Sequence, residues 1–188
     1  MGIDGVSPGG EDRDNSGPGG RNSQTGFDFI DGVGFELWEW HFDLKTTPRT
    51  HIGQWVINFP SVSTIRSLGL TANCYWLSYA VATRLQGKTL DDIVRCGQQI
   101  ICVSMDEVLD LYNHIGEEWN ISAFDDTTAA DLRDYRRLLN QKFRAMGIFP
   151  EVFRYDPRLG FWMAVDPRNV VIRNPSELAG QTVPQGRA

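Results

Sequence analysis

The stretch Asn73-Cys-Tyr-Trp-Leu-Ser-Tyr-Ala-Val-Ala-Thr-Arg-Leu85 decides how the rest of the chain is read. It is an apolar run bounded by the polar Thr71-Ala-Asn73 and by Gly87, a start signal and a stop signal that predict a helix over Tyr75 to Leu85. Cys74 then falls in the first turn. There, backbone N–H groups lack intrahelical acceptors and the helix dipole is positive, and both favour thiolate over thiol. A second reading fits the same position: free cysteine is among the most buried residue types, so Cys74 can equally be a small side chain packing the head of a buried helix.

Upstream of this run the pattern is aromatic and extended. In Phe35-Glu-Leu-Trp-Glu-Trp-His-Phe-Asp-Leu44, period two puts Trp38, Trp40, Phe42 and Leu44 on one face and Glu39, His41 and Asp43 on the other. From His51 to Phe59 the alternation returns, with Trp55, Ile57 and Phe59 inward, and Pro60 ends it. Two or three antiparallel strands are therefore expected before Cys74.

Downstream the period changes to that of helices. Thr89 to Gln98 predicts a short one. Ser104-Met-Asp-Glu107 is a capping box, after which Val108, Tyr112, Ile115 and Trp119 share a face. Another helix starts at Thr127-Thr-Ala-Ala-Asp131, with Leu132, Tyr135, Leu139, Phe143 and Met146 as its buried stripe and Gly147 as its stop. Val152-Phe-Arg-Tyr155 and Phe161-Trp-Met-Ala-Val165 then flank Asp156-Pro-Arg-Leu-Gly160 as a strand, tight turn and strand, and Val170 to Arg173 can add one more. Strands, then helices, then strands give an α+β domain rather than alternating βαβ units. Residues 1–26, Gly-rich and nearly without apolar groups, read as a disordered arm, 27–176 as a single domain and 177–188 as a flexible tail.

A net charge of -6 and a pI near 5.0 argue against binding nucleic-acid phosphates or an anionic membrane. Three cysteines at 74, 96 and 102, with no CxxC pair, do not make a secreted disulfide framework, and no segment has the roughly 20 apolar residues that a membrane span needs. The expectation is a cytoplasmic protein with reduced thiols. Cys96 and Cys102, beside apolar residues, are expected in the core. The Cys and His residues are too scattered for a zinc site, and no cofactor is expected.

Asn73-Cys-Tyr-Trp-Leu-Ser ahead of an apolar helix resembles the nucleophile box of papain-like cysteine peptidases, above all the compact viral leader and papain-like proteinases, and is similar to the cysteine box of ubiquitin-specific proteases. That resemblance implies a papain-like fold, a central helix bundle packed against an antiparallel sheet or hairpin. It also implies hydrolysis of a peptide or isopeptide bond in a protein or peptide substrate, the chain's own polyprotein included, in the host cytoplasm if the source is a virus or an effector. In leader proteinases an aromatic strand ends at the aspartate that orients the base, and Phe161-Trp-Met-Ala-Val-Asp166 is similar to it. The family's histidine would stand near Pro150 to Val152, where this chain has Glu151, and no histidine follows His114. A carboxylate, with an ordinary pKa of roughly 4.3, hardly accepts a thiol proton. The family's oxyanion Asn or Gln is also absent, Leu68-Gly-Leu70 standing there, so the Cys74 N–H and the Asn73 side chain are the candidates for that role.

The site expected on this basis is Cys74 as nucleophile, His51 as base, Asp166 as orienting group and Asn73 at the oxyanion, with Trp76 and Trp162 walling the cleft. His51 shares parity with Trp55 at a strand start, His41 lies on a polar face between two carboxylates, and His114 points to solvent. Three explanations of the missing histidine stay open: a degenerate domain that acts as an interaction module or effector; a rearranged site served by His51 or His41, in the order of lecithin-retinol acyltransferase-like hydrolases; or a chain that stops before the true base.

Overall fold

A computed structural model describes residues 28–39, 51–119 and 122–173. The Gly-rich arm, the tail from 177 and the segment holding Trp40, His41, Phe42 and Leu44 lie outside the described residues.

Strands β1 (Gly34–Glu39), β2 (His51–Phe59) and β3 (Thr64–Thr71) form an antiparallel meander directly before the helix that carries Cys74. Register places Phe35 against Ile57 and Leu37 against Trp55, and all four are fully buried on one face. This corrects the face expected for β1. Trp38 lies on the opposite side, with its Nε1 donating to Glu36 at 3.0 Å, because the strands turn Phe35 and Leu37, not the tryptophan, toward the helices. Pro60–Val62 is a 3-10 turn closed by the Ser63 N–H on the Pro60 carbonyl, and it reverses β2 into β3.

β3 runs without a loop into α1 (Ala72–Leu85), which is buried nearly all round, as a central helix must be. The Trp55 indole crosses from the sheet to donate to Ser78 Oγ at 3.1 Å. A Cβ on Gly53 would overlap the Tyr75 ring, so glycine is what lets α1 lie this close to β2. The remaining helices are α2 (Leu90–Cys96), α3 (Met105–Trp119), the single turn α4 (Ser122–Asp125) and α5 (Ala129–Ala145). Each long one starts where its capping residues stand: Ser104 with Glu107 for α3, Thr128 with Asp131 for α5. Gly147, at φ 83°, stops α5.

β4 (Phe153–Asp156) and β5 (Gly160–Met163) form a separate hairpin around an Asp156 turn, whose carboxylate accepts from the N–H groups of Arg158 and Leu159. The hairpin is stitched to the connector before α3 by two bonds between Val103 and Phe161, at 2.9 and 2.8 Å. Finally β6 (Val170–Arg173) pairs parallel with β1, giving the sheet order β3-β2-β1-β6. The architecture is thus mixed α and β with a mixed sheet and a small hairpin. The wholly antiparallel sheet expected from sequence is corrected: β6 arrives after the entire helical layer, so no hairpin dictates its direction. Trp55 is the hub of the core, with Phe35, Phe143 and Phe153 rings 6.3, 6.4 and 6.3 Å from its own.

Candidate functional site

Cys74 is the third residue of α1, in the turn that the sequence indicated. Its side chain is shut in, with 1% of the residue exposed. Burial pushes the thiol pKa above its ordinary value, and a hydrogen bond with Thr71 and the charge of Lys142 offset this only in part. Desolvation penalises the charged form, and here it outweighs the helix-end field that would favour a thiolate.

The group next to Cys74 that sequence reasoning missed is Tyr112. From α3, its fully buried hydroxyl donates to the Asn73 carbonyl and accepts from the Leu77 N–H at 3.1 Å. Both backbone groups belong to the first turns of α1, so the phenol ties the head of that helix to α3. The Asn73 side chain is engaged as well, its Nδ2 donating to Tyr135 Oη of α5 at 2.9 Å, and the Tyr112 and Tyr135 rings stack at 6.2 Å. Burial is the first cause raising the pKa of both phenols, with the neighbouring Cys74 adding to it. A signal existed: Tyr112 stands on the inward stripe of α3, and a buried tyrosine hydroxyl needs a partner.

His51 is not brought to Cys74. A bulge between His51 and Gly53 shifts the register, so the parity shared with Trp55 in the sequence is broken and His51 pairs with Thr71. Its ring covers Gly69, within 2.8 Å of where a Cβ would be. Gly69 lies opposite Gln54, on the face of the sheet turned away from Trp55 and α1. His51 is exposed there, and His114 is exposed too, 3.8 Å from Glu118. His41 lies outside the described residues.

Asp166 is also occupied. Its carboxylate is buried, accepts from the Arg168 N–H at 3.0 Å and holds the Arg168 guanidinium through both oxygens, which fixes the 3-10 turn Pro167–Asn169. Burial pushes its pKa up, but the Arg168 bonds and charge more than offset this and hold it below the ordinary carboxylate range. Glu151, in the place of the family's histidine, pairs with Arg136 at 3.1 Å. Trp76 is buried in a T-shaped aromatic cluster with Tyr75 and Tyr79, while Trp162 is half-buried on β5.

The other thiols divide. Cys102 is buried, its pKa pushed up to about 11 first by burial and then by Asp156. Cys96 is exposed, which corrects its expected place in the core: α2 turns only Ile93 fully inward, and Cys96 ends it on the outer side. Among the described residues no three His, Cys, Asp or Glu side chains converge as a metal site requires. No helix among them is long and apolar enough to cross a membrane. Compared with known proteins, the chain matches no family model, no curated protein and no solved structure.

Proposed function

We propose that this chain is a protein-interaction domain on a papain-like α+β scaffold, without hydrolase chemistry of its own, in which Cys74 packs the head of α1. The observation that carries this is the surroundings of the Cys74 sulfur. It is 1% exposed, its proton is held by burial, and the groups acting on it are Thr71, Lys142 and two tyrosines. Thiol hydrolysis needs a thiolate, a path for the substrate carbonyl and a proton acceptor in reach. A protein partner, rather than nucleic acid or an anionic membrane, suits a net charge of -6.

The thiol-hydrolase reading keeps one supporting observation, the place of Cys74 in the first turn of α1. It requires Tyr112 and α5 to withdraw and an imidazole to arrive. A cysteine-directed peptide vinyl sulfone, incubated with the wild type and with Cys74→Ala, separates the two readings. The interaction domain gives no adduct that depends on Cys74. A covalent adduct present in the wild type and absent from Cys74→Ala would establish the hydrolase and remove the proposal.

A further inference from the structure

We infer that the open edge of β3 is the docking site, and that its occupant is an extended peptide segment of alternating apolar and acidic residues that adds a strand to the sheet. This rests on the interaction reading above and specifies its surface.

Among the described strands β3 is terminal, bonded to β2 on one side only. Alternation along a strand exposes every second residue when one face is covered, yet Ile65, Arg66 and Ser67 are exposed in succession. Among the described residues, neither face of the strand is therefore covered at this point, and no strand pairs along its edge. Edges are normally blunted by proline, charged side chains or a bulge; Thr64–Thr71 has no proline, its one charged residue is Arg66, and the bulge of this strand pair belongs to β2, at Ile52. Apolar groups flank the edge instead: Val62 is 65% exposed, Ile65 63% and Phe149 63%. Arg66 ties Phe149's loop to the strand by donating to the Met146 carbonyl at 2.7 Å.

Charge selects the partner. The two walls, residues 60–71 and 138–150, hold Arg66, Lys142 and Arg144 and not one carboxylate, in a chain with 24 acidic against 18 basic residues. Among the described residues none of these three cations makes an ion pair; Arg66 and Arg144 lie over the rings of Phe59 and Phe149 at 5.8 and 5.9 Å. A strand added here gains main-chain hydrogen bonds from the edge. Its alternate side chains can then meet Ile65 on the outer face of the sheet with one set and, on the helix side, Arg66 and Arg144 beside Phe149 with the other.

The test uses the full chain, with a displayed library of random peptides long enough to pair along all 8 residues of β3, panned against the wild type and against Ile65→Lys/Arg144→Glu. Both replaced side chains are exposed, and equal urea midpoints and circular dichroism certify the variant's fold. The expected result is enriched peptides that alternate apolar residues with Asp or Glu and bind the variant at least about tenfold more weakly by fluorescence polarisation. Enriched peptides that are basic, or that bind both proteins equally, overturn the edge proposal and leave the interaction reading standing. Absence of any enriched peptide overturns both. A wild-type dimer in sedimentation that the variant dissolves assigns the edge to a second copy of this chain and overturns the peptide occupant.

Discussion

The Tyr112 hydroxyl is the group that joins the turn carrying Cys74 to α3. It bonds the Asn73 carbonyl and the Leu77 N–H, and with Tyr135 it holds the head of α1 against α3 and α5. Tyr112→Phe removes both hydrogen bonds between α3 and the head of α1, so it should cost about 1–2 kcal/mol in urea unfolding; an unchanged midpoint would show that these bonds contribute nothing. Asp166 gives a prediction with a sign. Its pKa is held low in the folded protein, so its contribution is present above the unfolded value, about 3.9, and is lost as pH falls through the folded one. The stability advantage of the wild type over Asp166→Asn should be constant near neutrality and shrink below about pH 4. An advantage that grows on acidification contradicts the assignment. At this scale the sequence showed where Cys74 and Asp166 stand in the chain. It could not show their partners, because Tyr112 and Lys142 reach Cys74, and Arg168 closes on Asp166, only through folding.

Elements with local signatures were legible and those without were not. The capping box at Ser104, the start signal Thr127-Thr-Ala-Ala-Asp131 and the stripes behind them located α3 and α5, since a cap and a period of 3.6 are read within one segment. The His51 to Phe59 strand was legible for the same reason. Its bulge was not: parity alone put His51 with Trp55, and one extra residue, Ile52, sends it to the other face. β3 carries no alternation because it is an open edge, and the parallel partnership of β6 with β1 is set by the whole intervening chain. The hairpin turn offers a check on how the elements are joined. Gly160 has φ 97°, and a Cβ there would overlap the Val103 carbonyl, whereas Gly147, at φ 83°, faces open space. Gly160→Ala should therefore cost at least about 2 kcal/mol in unfolding, against about 1 for Gly147→Ala. Equal costs would mean that the Val103 to Phe161 stitch is not where it is drawn.

Across the whole molecule one apolar core runs from the sheet through α1 to the hairpin, and the candidate site is embedded in it rather than opening from it. In the proposal above the β3 edge, not the head of α1, is the surface offered to a partner, and exposed Ile65 and the cations unpaired among the described residues distinguish it from the other terminal strand, β6. The mixture of strands and helices followed from the order of periodic segments. A papain-like site needs a further fact that no segment carries, the meeting of a sulfur and an imidazole. The most direct measurement of the central claim is the order in which the three thiols react with iodoacetamide at neutral pH, followed by mass spectrometry of the cysteine peptides. Cys96 should be modified first, with Cys74 and Cys102 reacting only as the protein unfolds in urea. Modification of Cys74 ahead of Cys96 in the folded protein would contradict the account.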